Sequence, residues 1–214
     1  DGSFFDNAAM LDALGRVRAT GGRMHIIGVV SDGGVHGHLS HMQAAAKMVM
    51  DAGVSLAVHA ITDGRDVAPQ SALGYLDDAG ELPFVTLSGR YYAMDRDTRW
   101  DRVEAAYRAI VQGIGAQADT ARDAVQNGYD QGTTDEFILP TVIGDYAGIQ
   151  DGDAVFFLNF RADRAREILA AIGQPDFDSF DVGAGPKLSA LLGMVDYSTA
   201  HDAYMTTAYP KHDI

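Results

Sequence analysis

The feature of this sequence that most constrains its fold is a series of apolar runs, each followed by a polar cluster and an amphipathic segment. The runs cover residues 23–30, 55–62, 84–87 and 153–158. Apolar runs of this length are typical of buried strands, and the segments between them favour helices. Strands that alternate with helices pair in parallel through βαβ units. The sequence therefore predicts an α/β fold, a mostly parallel sheet sandwiched between helices (α/β/α), in a single domain.

The remaining elements are predicted from helical spacing and from glycine and proline positions. Helices are predicted at residues 7–19, 38–52, 69–78, 100–113 and 120–127, and after Arg164 as far as Ile172. Two further strands are predicted at 137–143 and 188–195, and the residues beyond them as an extended tail. Because no internal linker or repeat interrupts the pattern, we expect all 214 residues to form one domain.

Composition excludes several classes of function. The chain has 16 Lys and Arg against 30 Asp and Glu, a net charge of −14, which argues against nucleic acid or an anionic membrane as a partner. No apolar run approaches the roughly 20 residues of a membrane span, and there is no cysteine to form a disulfide or act as a nucleophile. We expect a soluble, cytoplasmic protein. The sequence does not begin with Met, so we also expect it to be part of a longer chain.

Arginines are concentrated in the polar clusters that follow the predicted strands. These clusters cover residues 32–38, 63–66, 88–99 and 159–164, and the carboxyl ends of parallel strands meet at one edge of a sheet. A guanidinium group matches phosphate and carboxylate with two parallel hydrogen bonds. The sequence thus predicts a site for a small phosphorylated acid, with Asp66 able to accept a proton from a substrate hydroxyl. The arginines of these clusters are Arg65, Arg90, Arg96, Arg99, Arg161 and Arg164.

Histidines and glycines in residues 31–41 leave other interpretations open. The spacing of His36, His38 and His41 occurs in zinc sites, which allows a stand-alone metal-dependent hydrolase using Asp32, His36 and His38. However, His38 and His41 fall in the first turn of a predicted helix, where a capping or surface role is more common. A non-catalytic module that binds a phosphorylated acid is a further alternative. The glycines form neither a dinucleotide fingerprint nor a Walker loop, so nicotinamide and ATP chemistry are not expected.

Two other histidines, His25 and His59, lie inside the apolar runs. Ionisable side chains within a buried strand are usually hydrogen-bonded core residues. We therefore expect both to be packed in the core.

Four motifs together resemble one family. SDGGVHGH (31–38), TDGRDV (62–67), SGRYYAMDRDTRWDR (88–102) and NFRADRARE (159–167) are similar to the cofactor-independent, 2,3-bisphosphoglycerate-independent phosphoglycerate mutases. The resemblance covers nearly the whole chain in order. It implies an isomerase of glycolysis and gluconeogenesis that interconverts 3-phosphoglycerate and 2-phosphoglycerate.

The resemblance also implies a division of labour. Residues 1–214 would be the inserted phosphotransferase domain, which binds the substrate, with hinge segments near 1–6 and 206–214. The phosphatase-like domain, with two manganese ions and the serine that is transiently phosphorylated, would lie outside these residues. No cofactor or metal ligand is then expected in this part of the chain. It would be inactive alone, and the full-length protein would be a monomer.

Carrying the family's roles over gives a set of substrate-binding residues, with Asp66 also a catalytic acid or base for the glycerate hydroxyls. The sequence departs from the family pattern at Gly37, where Ser is common, and at Val67-Ala68, where Thr or Pro is frequent. Neither departure falls on an implied ligand. The implied substrate-binding residues are His36, Arg65, Asp66, Arg90, Arg96, Arg161 and Arg164.

Overall fold

The apolar runs form the centre of one eight-stranded sheet within residues 2–210, which are the residues that the computed structural model describes. The strands are β1 (Arg23–Val29), β2 (Ser55–Thr62), β3 (Phe84–Gly89), β4 (Ala116–Ala118), β5 (Thr141–Ile143), β6 (Ala154–Phe157), β7 (Ala190–Val195) and β8 (Thr206–Tyr209). Their order is β4-β5-β3-β2-β1-β6-β7-β8. Neighbouring strands are parallel except β3 and β5, which are antiparallel. The predicted mostly parallel sheet is confirmed.

Helices cover both faces of this sheet. They are α1 (Ala8–Thr20), α2 (Leu39–Asp51), α3 (Ala72–Ala79), α4 (Arg90–Ala93), α5 (Trp100–Tyr107), α6 (Ala121–Asp130), α7 (Arg166–Gly173) and α8 (Thr199–Asp202). Short 3₁₀ turns occur at Gly2–Asp6, Asp135–Phe137 and Ala162–Arg164, and α5 continues as a π-helical turn over Arg108–Gln112. None of the helices within residues 2–210 is long and apolar enough to span a membrane.

Two apolar cores separate the helices into layers. Successive side chains of a strand point to opposite faces, so Ile26 and Ile27 of β1 enter different cores. The core around Ile26 includes residues of α1, α2, α3 and α6, whereas the core around Ile27 includes residues of α4, α5 and α7. The sheet thus lies between two helical layers, which confirms the predicted α/β/α class.

A chain of hydrogen-bonded polar side chains crosses the middle of the sheet. His25 on β1 lies between Asp153, which precedes β6, and His59 on β2: its Nε2 is 2.8 Å from Asp153 Oδ2, and its Nδ1 is 2.8 Å from His59 Nε2. His59 Nδ1 is 2.7 Å from Thr86 Oγ1 on β3. Both histidines are fully buried, which confirms that they are packed core residues.

The prediction differs from the structure mainly in short elements. The residues after 195, predicted as an extended tail, contain α8 and an edge strand, β8, that pairs with β7. The Ser198 hydroxyl caps α8 by accepting a hydrogen bond from the His201 amide. Of the predicted strand 137–143, only β5 forms, and β4 and α4 were not predicted. Elements of three or four residues have too few positions to display a period.

The order of the strands creates a crevice beside β1. The chain proceeds from β1 to β2 and β3 on one side, while β6 pairs with the other side of β1. Loops that leave neighbouring strands in opposite directions open a gap at their carboxyl ends, and ligands of open α/β sheets bind in such gaps. The loops that follow β1 and β6 are two of the arginine- and histidine-bearing clusters.

Candidate functional site

The polar loops predicted to converge do meet at the carboxyl edge of the sheet. The Phe160 amide, after β6, donates to the His36 carbonyl in the loop after β1 at 2.7 Å. The Asn159 side chain accepts from the Val29 amide at 3.1 Å. Ser31 Oγ, also after β1, donates to Asp63 Oδ2 in the loop after β2 at 2.8 Å. Hydrogen bonds therefore join three separate loops.

Arg90 is the centre of this arrangement. It is the first residue of α4, directly after β3, and only 2% of its side chain is exposed. Its Nη1 donates to Asp63 Oδ1 at 2.9 Å and to Asp66 Oδ2 at 2.8 Å, and its Nη2 lies 3.1 Å from His36 Nε2. A buried guanidinium is tolerated only when it is paired. The two carboxylates meet that requirement and place His36 beside the charge.

His36 is held neutral with a defined tautomer. Burial, followed by the positive charge of Arg90, lowers the pKa of His36 to about 4. A guanidinium has no acceptor, so His36 Nε2 accepts from Arg90 and Nδ1 carries the proton. Nδ1 is buried, and no hydrogen-bond partner for it occurs among the described residues. His36 thus offers a free N–H donor at the site.

The two aspartates next to Arg90 differ in exposure. Asp63 is buried, and its Oδ1 also accepts from the backbone amides of Arg65 and Asp66, which folds the turn. Burial alone would raise the pKa of Asp63, but hydrogen bonds from the Asp66 amide, Ser31 and Arg90 outweigh it and lower the pKa. Asp66 is 21% exposed at the mouth of the site. Asp63 is therefore an anchor, and Asp66 is the carboxylate that a ligand can reach.

Three further arginines form an exposed rim, which we define as Arg65, Arg96 and Arg161. Arg65 Nη1 lies 3.5 Å from Glu136 Oε1. Arg96 Nη1 lies 2.9 Å from Asp163 Oδ2, and Arg161 Nε lies 3.4 Å from Asp163 Oδ1. Exposed ion pairs contribute little to stability, about 0–1 kcal/mol. An anionic ligand can replace these carboxylates at little cost.

Arg164 completes a positively charged cavity. Its Nη1 donates to the Met94 carbonyl at 3.1 Å. Burial, then the positive charges of Arg90, Arg96 and Arg65, lowers the pKa of Arg164, so these cations lie close together. The cavity, about 250 Å³, is lined by the Tyr91 and Phe137 rings and by four arginines against three carboxylates: Arg65, Arg90, Arg102 and Arg164, and Asp95, Asp97 and Glu136. Of the predicted site residues, Arg65, Arg90 and Arg164 line this cavity, and His36 and Asp66 contact Arg90. Arg96 and Arg161 pair with Asp163 instead.

The sequence matches the model of a known protein family. The model described as the BPG-independent PGAM N-terminus matches residues 1–199. The chain belongs to this family. Individual mutases match this chain over its whole length. The sequence is 58% identical over 219 residues to the 2,3-bisphosphoglycerate-independent phosphoglycerate mutase of Ruegeria pomeroyi. It is 60% identical over 219 residues to the mutase of the same name from Agrobacterium fabrum. In both cases the match covers 100% of this chain but 43% of the relative.

A solved structure agrees with the family assignment. A crystal structure of Leishmania mexicana phosphoglycerate mutase at low cobalt concentration superimposes with a TM-score of 0.88 and 28% sequence identity. The superposition covers 98% of this chain and 42% of that one. The chain therefore spans less than half of the BPG-independent mutases that it resembles.

The three residues of the alternative metal site have separate partners. Asp32 Oδ1 accepts from the Tyr75 hydroxyl at 2.5 Å, and His38 caps α2 by accepting from the Ser40 amide at 3.1 Å. His36 faces Arg90. Across the part of the chain that the structure describes, no group of three or more His, Asp or Glu residues could hold a metal ion. The geometry favours the capping role of His38 over a metal centre.

Several residues that build the site were not singled out from the sequence. Asp63, Glu136 and Asp163 hold arginines, and Asn159 holds the backbone of β1. Asp63, Asn159 and Asp163 lie inside the motifs TDGRDV and NFRADRARE, so their place in these motifs could have indicated that they belong to the site. Glu136 lies in a 3₁₀ turn without any motif. Arg99, the remaining arginine of the strand-end clusters, does not line the cavity. Its Nε lies 3.8 Å from Asp101 Oδ1.

Proposed function

We propose that this chain is the substrate-binding phosphotransferase domain of a 2,3-bisphosphoglycerate-independent phosphoglycerate mutase. The reaction is the interconversion of 3-phosphoglycerate and 2-phosphoglycerate. The observation that carries the proposal is the cavity lined by Arg65, Arg90 and Arg164, together with the unpaired Nδ1–H of His36 and the partly exposed carboxylate of Asp66, which both contact Arg90. Membership of the mutase family supports the same substrate class.

In this proposal the chain holds the glycerate while a second domain handles the phosphoryl group. The serine that accepts the phosphoryl group belongs to a phosphatase-like domain outside these residues. Two manganese ions would belong to the same domain, as the family resemblance implies. The 214 residues alone would therefore bind substrate without turning it over.

Retention of the glycerate follows from the charges around the cavity. Removal of the phosphoryl group leaves a carboxylate and two hydroxyls, which still need anchors. Arg90 and Arg164 are fixed by the protein, whereas the rim arginines are free to pair with the ligand. Each charged hydrogen bond contributes roughly 1.5–3 kcal/mol. Two or three of them would hold the glycerate while it turns.

Proton transfer is assigned to Asp66. Its carboxylate lies at the mouth of the site, fixed on one side by Arg90 at 2.8 Å. A carboxylate within hydrogen-bond reach of a substrate hydroxyl can accept its proton as the oxygen attacks the phosphoserine. Neutral His36 would donate from Nδ1 to a substrate oxygen. Closure of the two domains would exclude water and suppress hydrolysis.

The hinge segments near 1–6 and 206–214 suit the proposed insertion. Asn7 Nδ2 donates to the Ala208 carbonyl at 2.6 Å, so the segment that follows Gly2–Asp6 lies against β8. Residues 211–214 and Asp1 lie outside the described residues. Two hinges side by side allow a domain to move as one body. The proposal also includes a cytoplasmic, monomeric full-length enzyme, on the basis of the family resemblance.

Replacement of Arg161 by Ala in the longer protein tests the proposal. Loss of one charged hydrogen bond to the substrate should lower kcat/KM by about 10- to 150-fold. Steady-state mutase kinetics measure this. Arg99→Ala is the matched control, because Arg99 is equally exposed but pairs with Asp101.

Wild-type kinetics in Arg161→Ala would remove this arginine from the site. A longer wild-type protein without mutase activity would contradict the proposed function itself. If that protein still bound phosphoglycerate, the result would favour the non-catalytic binding module.

A further inference from the structure

The turn that carries Arg96 has an unfavourable backbone conformation. Thr98 has a φ of 55°, and it is the one residue other than glycine with positive φ in the described part of the chain. Left-handed backbone is disfavoured for residues with a Cβ, and most of all for β-branched ones such as Thr. A conformation of this kind persists only where surrounding contacts impose it. Contacts with other residues must therefore hold the turn at residues 94–99.

Three consecutive backbone amides of this turn donate to two carboxyl groups. Asp95 Oδ2 accepts from the Asp97 amide at 3.1 Å and from the Arg99 amide at 2.9 Å. The amide between them, that of Thr98, donates to Glu167 Oε2 at 3.2 Å. Asp95 belongs to the turn itself, whereas Glu167 lies in the first turn of α7. Glu167 therefore ties the strained residue to a separate element.

Glu167 Oε1 is buried, and the described residues provide no donor for it. Burial first, then a hydrogen bond with Asp95 and the negative charges of Asp95 and Asp97, raises the pKa of Glu167 to about 7. On the other side of Asp95, Arg102 of α5 reaches Oδ1 at 3.4 Å. Near neutral pH Glu167 can therefore hold a proton close to Asp95.

We propose that Glu167 is a positioning residue for the mutase reaction: its Oε2 holds the Thr98 amide and so sets the direction of Arg96. This inference rests on the proposed function, which assigns Arg96 to the substrate. Two neighbours of Glu167 support the same alignment. Arg96 pairs with Asp163, and Arg164 donates to the Met94 carbonyl, so the segment 163–167 holds the turn at its side chain and at both ends of its backbone.

Loss of the proton on Glu167 should loosen the turn. Above about pH 7, Glu167 would carry a negative charge beside Asp95 and Asp97, and repulsion from them opposes the contact with Thr98. Glutamine mimics the protonated state without titrating, because its carbonyl accepts from Thr98 while its amide nitrogen donates to Asp95. Glu167→Gln should therefore keep Arg96 in place at every pH, and Glu167→Ala should not.

The test compares kinetics of the longer protein as wild type, Glu167→Gln and Glu167→Ala between pH 6 and pH 8.5. The ratio of the wild-type KM to the Glu167→Gln KM should rise by about fivefold across this range, with a smaller change in kcat. Ionisation of the substrate phosphate cancels in that ratio. Glu167→Ala should show a raised KM throughout. Glu104→Gln is the matched control, because Glu104 pairs with Arg108 on the surface.

Amide hydrogen exchange provides a measurement that does not depend on turnover. At one fixed pH, a peptide covering residues 94–100 should exchange faster in Glu167→Ala than in Glu167→Gln. A flat KM ratio, or unchanged exchange in Glu167→Ala, would overturn the role of Glu167. A wild-type protein without mutase activity would instead overturn the proposed function, while faster exchange would still support the hold of Glu167 on the turn.

Discussion

Two buried clusters in this molecule combine histidine with carboxylate, but only one of them is complete. Across the sheet, both ring nitrogens of His25 and both of His59 have partners, from Asp153 at one end to Thr86 at the other. At the carboxyl edge, by contrast, His36 Nδ1 has no partner among the described residues. We call the first group the sheet cluster and the second, His36 with Arg90, Asp63 and Asp66, the edge cluster.

The difference distinguishes a structural network from a site. A buried polar network that is fully satisfied stiffens the fold, whereas a donor left unpaired costs about 1–3 kcal/mol. The sheet cluster has a single consistent direction: Asp153 accepts from His25, His25 accepts from His59, and His59 accepts from Thr86. The edge cluster keeps Arg90 Nε and His36 Nδ1 without partners in the described structure, beside an open cavity. A ligand can satisfy what the protein leaves open.

The largest expected effect separates activity from stability at the edge cluster. Asp66→Asn should lower kcat by about 10²–10⁴-fold, because the amide cannot accept the substrate proton. The free energy of unfolding should change by less than about 1 kcal/mol, since Asn still accepts from Arg90 and the position is partly exposed. Mutase assays of the longer protein and urea unfolding of the 214-residue chain measure the two quantities.

Asp32→Asn is the control for Asp66→Asn, because Asp32 is an exposed carboxylate in a neighbouring loop whose partner is Tyr75. It should leave kcat unchanged. A normal kcat in Asp66→Asn would show that the edge cluster binds without transferring protons.

In the sheet cluster, a substitution should lower stability and leave activity nearly unchanged, the opposite of Asp66→Asn. His59→Leu leaves the Thr86 hydroxyl and His25 Nδ1 without partners, so the chain should lose about 2–5 kcal/mol of unfolding free energy. The kcat/KM of the folded protein should stay within about twofold, the level at which an indirect change is negligible. His41→Leu is the control, because the described structure shows no hydrogen-bond partner for His41 Nδ1, and it should cost less than about 1 kcal/mol. Loss of activity at unchanged stability would contradict a purely structural role.

The smallest effect is the pH dependence of stability that the sheet cluster contributes. Burial, the largest cause in each case, lowers the pKa of both His25 and His59 below 6.5. Below pH 6.5 the unfolded chain therefore binds protons that the folded chain does not. The stabilisation is complete above pH 6.5 and is lost progressively as the pH falls towards the lowered folded-state pKa values.

Urea unfolding between pH 6.5 and pH 5 measures this dependence. His36 and His41 contribute slopes of the same sign, so the comparison with His59→Leu isolates the sheet cluster. The variant should have a slope shallower by about 1.4 kcal/mol per pH unit for each titrating histidine removed. Parallel curves for the two proteins would show that His59 does not titrate on unfolding.

The sequence predicts the centre of the fold better than its edges, for a physical reason. Buried central strands such as β1 and β2 need continuous apolar runs, which are visible in the sequence. The edge strands β4 and β8 are three and four residues long and partly exposed, so no such run marks them. Their place in the sheet depends on pairing with β5 and β7, which are distant in sequence or short themselves.

For the site, the sequence predicts which residues gather but not how they are held. Arg65, Arg90 and Arg164 line one cavity and Asp66 contacts Arg90, whereas Arg96 and Arg161 pair with Asp163. That Arg90 would be buried while Arg161 is exposed could not be read from two arginines that each follow a strand. The proposed role of Glu167 could not be predicted either, because the Thr98 amide that it accepts from lies 69 residues away along the chain. Contacts of this kind depend on tertiary packing.

The burial of Arg90 has a consequence for how this site can change by mutation. One guanidinium connects the loops after β1, β2 and β3 through His36, Asp63 and Asp66. A substitution that suits a new ligand in one loop would disturb the other two, so these positions must vary together or not at all. The rim arginines are less tightly linked, because Arg65 pairs with Glu136 alone and only Arg96 and Arg161 share a carboxylate, that of Asp163. Efforts to redirect the site towards other phosphorylated acids should therefore begin with saturation mutagenesis of the rim.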